Sequence, residues 1–277
     1  MPTRALRPRS GSSAKALLLT TLGEFVLPHG GAVWTSTVVR GLGALGIEER
    51  NARQAAARLA DQGIVRSSRD GRRALWRLTD HGRELLTVGT DRIYRFGASD
   101  DTWDERWLVV LCSVPEDQRA KRHQLRTQLA FAGFGFLGAG VAVSPHLDRE
   151  RVANTVLKDL GLVPGAVVLR AEIGSLIPAD QLLRRAWDLE GLARRYRDFT
   201  VGFARRAPRS DDARFAALVE LVHAWRRFPF VDPEIPPRLL PAKWPGRRAK
   251  TLFDDRHAAW TASANAWYER VEADSTG

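Results

Sequence analysis

The segment Ile47-Glu48-Glu49-Arg50-Asn51-Ala52-Arg53-Gln54-Ala55-Ala56-Ala57-Arg58-Leu59 carries side chains suited to reading nucleic-acid bases. At helical spacing Ala52, Ala56 and Leu59 share one face, while Arg50, Arg53, Gln54 and Arg58 share the opposite one. Arginine can pair bidentately with guanine O6 and N7, and glutamine with adenine N6 and N7. Arg50 and Asn51 lie near the N-terminal end, the end that a recognition helix points into a major groove. A solvated helix face is the plainer reading of such a helix taken alone. The small inward alanines, a preceding helix-Gly-helix and a following basic hairpin turn the reading toward DNA. That hairpin carries Arg66, Arg69, Arg72, Arg73 and Arg77 around a tight tip. Arginines so placed reach phosphates or a minor groove and add affinity more than sequence choice. The candidate DNA-binding residues are therefore Arg50, Asn51, Arg53, Gln54, Arg58, Arg69, Arg72 and Arg73.

The charge distribution agrees. The chain has 277 residues and a formal net charge of +11. Residues 1–97 hold sixteen Lys or Arg against eight Asp or Glu, so most of the excess sits in about a third of the length. Such a concentration is the electrostatic footprint of a module that sits on a polyanion. An Arg-rich proteome would give the same total charge without that meaning. The hydrophobic fraction of 44% and charged fraction of 27% are those of ordinary globular proteins. No apolar run approaches membrane-spanning length, and the basic N-terminus lacks the apolar stretch of a secretory signal. The single cysteine, Cys112, rules out an internal disulfide and a cysteine-based zinc cluster. A cytoplasmic protein is expected.

These side chains need elements to hold them. Residues 1–13 read as a disordered basic tail. From Ala14 apolar residues recur every three or four positions as far as Val26, and Pro28-His29-Gly30-Gly31 ends that helix. Thr35 is a candidate N-cap for a second helix to about Leu45. Gly46 makes the turn, and the base-reading helix runs from about Glu48 to Asp61, stopped by Gly63. Then the period becomes two: Ile64–Arg69 and Arg72–Leu78 flank Asp70-Gly71, a strong hairpin signal. Thr79-Asp80 caps another helix to about Tyr94. Helix, helix, helix, hairpin, helix over 14–97 is the order of a winged helix-turn-helix. After a linker at 97–101, a continuously apolar strand at Trp107–Ser113 opens a β-α-β-α-β succession. Residues 104–175 therefore read as a small ferredoxin-like α/β sandwich without a Gly-rich phosphate loop. Residues 176–277 read as a helical C-terminal domain, interrupted by an extended stretch at 228–246 that holds six prolines. The fold class expected is α+β multidomain.

Catalysis finds little support. The middle segment is similar to small nucleases of the CRISPR adaptation machinery, whose catalytic aspartate ends the first strand. Here that strand ends Leu111-Cys112-Ser113-Val114-Pro115, with no carboxylate. The six histidines are scattered, none at metal-ligand spacing from another, and no Gly-x-Ser-x-Gly elbow occurs. No enzyme, metal or cofactor is expected; a nuclease-like protein and an effector-independent DNA-binding protein are the alternatives.

From about Lys15 to Tyr268 the sequence resembles the PaaX family of repressors, which control phenylacetate catabolism. The resemblance is carried by an ordered set rather than one motif. It includes His29-Gly30-Gly31, the Arg50–Leu59 helix, Gly71-Arg72-Arg73 with Trp76-Arg77-Leu78-Thr79, and Ser113-Val114-Pro115-Glu116. Leu18–Leu22, Trp107, Arg126, Gly133-Phe134-Gly135, Val143-Ser144-Pro145, Arg226-Arg227-Phe228-Pro229-Phe230 with Asp232-Pro233, Leu239-Leu240-Pro241 and Trp244-Pro245-Gly246 complete it. Phe136–Ala142 departs from the family in lacking the aromatic usual before the valine of this strand. The resemblance implies a homodimer that binds a palindromic double-stranded operator and releases it on binding a coenzyme A thioester, typically phenylacetyl-CoA. An aromatic thioester needs an apolar slot and cations for its phosphates. Arg226 and Arg227 beside Phe228 and Phe230, with Trp244 and Arg247, supply both. The same residues would equally serve to staple the C-terminal helices together.

Overall fold

The computed structural model describes residues 13–71, 73–97 and 103–276. The expected basic tail (except Ser13), Arg72 and most of the expected linker lie outside the described residues. Helix α1 spans Ala14–Thr21, its first turn capped by Ser13, whose hydroxyl accepts from the Ala16 N–H at 3.2 Å. It runs on into a π-turn at Leu22–Val26. A short strand β1, Ala32–Trp34, precedes α2, Thr35–Ala44. Thr35 is not the N-cap that its residue type predicts. It is the first helical residue; its hydroxyl donates to the Ala74 carbonyl at 2.9 Å and accepts from Trp76 Nε1 at 2.9 Å. The helix expected to read bases is α3, Glu49–Asp61. Strands β2, Val65–Asp70, and β3, Arg73–Leu78, form the hairpin, and the sheet order is β1-β3-β2. The ladder extends to Asp70 opposite Arg73, so Asp70 belongs to the strand and not to the turn. Helix α4, Asp80–Arg95, is capped by Thr79, which accepts from the Gly82 N–H at 2.9 Å.

The middle segment is ferredoxin-like, with one strand more than its sequence reading. Strand β4 (Trp107–Cys112), helix α5 (Arg119–Phe131), strands β5 (Gly135–Gly138) and β6 (Val141–Ser144), helix α6 (Glu150–Asp159) and strand β7 (Ala166–Ala171) follow in order. The strands are ordered β5-β6-β4-β7 and all pairs are antiparallel. The glycines of 133–140 concealed β5, because they dilute the apolar alternation that marks a strand. Leu108, Val110 and Cys112 on one face of β4 pack with Leu125 and Leu129 of α5 and Ala153 and Leu157 of α6. On the other face Trp107 joins Val143, Leu183 and Ile235. Leu111, at the end of the same run, is exposed.

The C-terminal third holds α7 (Ala179–Ala186), α8 (Leu189–Ala204), α9 (Asp211–Trp225) and α10 (Pro245–Thr276). The amphipathic run expected as one helix over 178–207 breaks at Trp187, whose backbone is extended. The proline-rich stretch contains only two 3-10 turns, Phe228–Phe230 and Pro237–Leu239. Pro245 starts α10, at the one helical position where a missing N–H costs nothing.

By compactness the described chain forms two units that ignore the order of segments. One joins the residues up to Phe96 with Phe199–Arg226 and Lys250 onward; the other joins 97–198 with 227–249. The helices of the C-terminal region expected over 176–277 are thus shared between the two units. Helix α9 serves as the core of the first unit, with Phe215, Leu218, Val219, Leu221 and Trp225 completely buried. Phe215 packs its ring 4.7 Å from Phe25 and 4.3 Å from Trp267, and Trp225 stacks on Phe253 at 4.8 Å.

Candidate nucleic-acid interface

Gly46, at φ +76°, turns the chain from α2 into α3, and Glu48 enters the helix extended. Ala52, Ala55, Ala56 and Leu59 are buried, so α3 approaches its neighbours through methyl groups and one leucine. Arg50, Asn51, Arg53, Gln54 and Arg58 are all exposed on the outer face, as the helical spacing predicts. Arg53 is engaged in the free protein: its Nε and Nη2 donate to Glu49 Oε1 at 2.8 and 2.7 Å. An exposed pair of this spacing is worth about 0.3–0.5 kcal/mol, little enough to be exchanged for a base or phosphate.

The hairpin presents Arg66, Arg69, Arg73 and Arg77 exposed. Arg66 stands directly opposite Arg77 in the β2–β3 ladder. Like charges at facing positions oppose pairing, and an anion between them would reverse the sign. Arg73, expected as a DNA contact, also works inside the protein, donating Nη1 to the Ser275 carbonyl at 3.0 Å. Arg72 lies outside the described residues.

The hairpin is set by α4 and by the end of α10. A Cβ on Gly82 would lie 2.0 Å from the Ile64 carbonyl oxygen, so only glycine lets α4 start against the strand entrance. The last turns of α10 hold the module from the other side. The Trp34 N–H donates to Glu272 at 3.3 Å, Thr37 to Ser275 Oγ at 3.0 Å, and Arg40 to Asp274 at 3.0 Å. Burial raises the Glu272 carboxyl above its ordinary range. Deeper in the same unit Tyr94 donates to Glu24, which also lies 2.7 Å from His257 Nε2. Burial, then the Glu24 charge, pushes the Tyr94 hydroxyl far up, so it remains a donor.

The second unit contains a groove of about 1010 Å³ between α7, the start of α8 and the segment 238–245. Its wall carries Arg126, Arg184, Arg185, Arg197, Arg238 and Lys243. Asp180, Asp188 and Glu190 are also present, and Phe136, Trp187 and Trp244 give flat apolar surfaces. Trp187 reaches its place because Gly135 has no Cβ; one there would lie 2.5 Å from the indole. Of the six residues proposed from sequence for a ligand, Trp244 alone is on this wall. Phe228 is buried and stacked on Tyr196 at 4.2 Å and 3°. Tyr196 in turn donates to Asp232, whose carboxyl is raised by burial. Phe230 stacks on Phe131 at 5.7 Å. Arg226 closes α9, Arg227 precedes the 3-10 turn, and Arg247 lies in the first turn of α10. Phe228 and Pro229 of the Arg-Phe-Pro-Phe motif are thus buried and Phe230 is exposed, while the groove cations come from elsewhere in the chain.

Three family models match in succession along the chain. Residues 13–82 match a PaaX-like protein, 100–183 the PaaX protein central Cas2-like domain, and 187–270 the PaaX-like protein C-terminal domain. The chain is also 30% identical over 256 residues to the transcriptional repressor PaaX of Escherichia coli strain K12, covering 88% of this chain and 78% of that protein. The chain belongs to the PaaX family. A solved structure, the uncharacterized protein Rv0674 from Mycobacterium tuberculosis, superposes on this PaaX-family regulator with a TM-score of 0.64 at 25% identity. It covers 92% of this chain, and the match spans 98% of that one. Among the described residues of the PaaX-family chain no three His, Cys, Asp or Glu side chains are grouped to hold a metal ion. No described helix is long and apolar enough to cross a membrane.

Two sets of residues escaped sequence reasoning in this family member. The contacts of Glu272, Asp274 and Ser275 with Trp34, Arg40 and Thr37 join positions more than 230 apart, and no local pattern announces them. The groove cations do have a local signal, the Arg184-Arg185 doublet flanking Trp187, which reads as an ordinary amphipathic helix until the break at Trp187 is known.

Proposed function

We propose that this PaaX-family chain is a DNA-binding transcriptional repressor of an aromatic-acid catabolic operon of the phenylacetate type. It holds a palindromic operator as a homodimer and leaves it when an aryl acyl-CoA binds. The observation that carries the reading is the outer face of α3: Arg50, Asn51, Arg53, Gln54 and Arg58 exposed together on a helix packed through alanines. The repressor named among its relatives supports the same reading. The cation- and tryptophan-lined groove supports a ligand with phosphates and flat rings, since arginines pair with phosphate oxygens and indoles stack on planar groups.

The test is fluorescence anisotropy on DNA from the protein's own upstream region, titrated with phenylacetyl-CoA. Release by micromolar thioester, with free CoA and phenylacetate inert, is the expected result. Salt-dependent binding without release would keep the repressor and discard this effector. Absence of any site-specific binding would overturn the function itself.

A further inference from the structure

The second unit contains another cavity, of about 350 Å³, between α5 and the strands β4, β5 and β6. Its interior is apolar: Val110, Leu125, Leu129 and Ala142 are all buried, and all line it. Cys112 also lines it, and burial pushes the thiol up, so it is a neutral, apolar surface. Its lining also includes polar groups: Ser113 is exposed, and Arg122 is tied to Val114 O and Glu116.

The two cavities share a wall. Arg126 and Phe136 line both the 1010 Å³ groove and the 350 Å³ cavity. The Arg126 guanidinium lies over the Phe136 ring, 4.3 Å from its centroid. The side chain is exposed and Phe136 is half-buried, so the pair is a weak, wet cation–π contact that a better partner for either group can replace. A phosphate attracts Arg126 toward the groove; an aryl group offers Phe136 another flat surface.

We propose that the 350 Å³ cavity is the pocket for the acyl head of the effector, and that the Arg126–Phe136 pair is the partition the ligand displaces to enter it. This rests on the effector reading given above. The groove holds the phosphorylated, ring-bearing part that all coenzyme A thioesters have in common, and cannot tell one from another. The cavity performs the selection. Its volume lies at the small end of ligand pockets, enough for a single-ring or short branched acyl group and too small for a long-chain one.

Isothermal titration of the full chain with CoA, phenylacetyl-CoA and palmitoyl-CoA tests the assignment. The expected order is phenylacetyl-CoA at least about tenfold tighter than CoA, with palmitoyl-CoA no better than CoA. Ala142→Leu fills the cavity and brings phenylacetyl-CoA to the level of CoA, leaving CoA itself unchanged. Phe136→Ala, at a half-buried position on the short β5 strand, serves if Ala142→Leu does not fold; removing the partition lets naphthylacetyl-CoA bind as well as phenylacetyl-CoA. Wild-type protein that binds CoA and phenylacetyl-CoA equally overturns the pocket and leaves the groove reading intact. So does a variant that weakens both ligands by the same factor. Failure of every thioester to bind overturns the effector reading, and the pocket with it.

Discussion

In the free protein Arg53 is bound to the carboxylate one helical turn before it, so DNA that uses Arg53 as proposed has to compete with Glu49 for its guanidinium. Glu49→Gln releases that side chain and removes a negative charge from the face proposed to meet DNA. Tighter binding to operator and to unrelated DNA alike is expected, measured by anisotropy at fixed salt. Arg50→Ala and Gln54→Ala act differently. Each removes up to about 1–3 kcal/mol of discrimination at one base pair and leaves nonspecific affinity largely in place. Uniform loss across sequences would make them phosphate contacts instead. On the hairpin the informative residues are Arg66 and Arg69, because Arg73 has the Ser275 carbonyl as an internal partner. Each alanine variant lowers the slope of log affinity against log salt by roughly 0.9 if its arginine meets a phosphate. An unchanged slope would remove the residue from the interface. His146 gives a pH effect in the other unit. Burial, reinforced by Arg149, lowers its imidazole below 6.5, although Asp148, Glu234 and the Glu234 carbonyl pull the other way. The unfolded chain takes up that proton first as pH falls. Stability present above 6.5 is therefore lost as pH drops through 6.5 toward the lowered folded value. Urea unfolding at about pH 7.5 and about pH 5.5 checks this: His146→Gln has the flatter profile.

Among the elements, the junction of β3 with α4 is the most constrained. Gly82→Ala places a methyl group against the Ile64 carbonyl, where backbone and not a flexible side chain must yield. Thermal melting of this variant is expected to show a larger loss than Thr79→Ala, which removes a cap worth about 1 kcal/mol and the hydroxyl's bond to the Gly63 carbonyl. The winged helix was legible in the sequence because its signals are local: alanines at helical spacing, a glycine at each turn, a switch to period two. The misread details share one cause. Thr35 looks like a cap, but Ala74 and Trp76, about forty residues away, claim its hydroxyl. Strand β5 is hidden by its glycines, of which Gly135 makes room for Trp187. The residues expected from sequence to meet a ligand are dispersed: Trp244 lines the groove, which also draws on α5, α7 and α8, while Phe228 stacks on Tyr196. Neighbours in space, not in sequence, decided each case.

For the whole molecule, the division into units is the controlling fact. The residues up to Phe96 share their core with α9 and with α10 from Lys250 onward. Phe25 contacts Phe215 and Tyr268, Phe96 contacts Trp225, and Thr20 bonds His223 at 3.2 Å. A fragment of residues 14–97, the expected free-standing DNA-binding domain, would expose those apolar faces to water. It is expected to aggregate or to lack the dispersed amide spectrum of a packed core, and a soluble, well-dispersed fragment would contradict this. The interleaving also bears on how such regulators diversify. A recombination breakpoint near residue 97 would pair one parent's Phe25 and Leu42 with the other parent's Phe215 and Tyr268, so most such crossovers would be purged for misfolding. New operator preferences in this lineage should therefore arise by point substitution on the exposed face of α3, and seldom by exchange of whole heads.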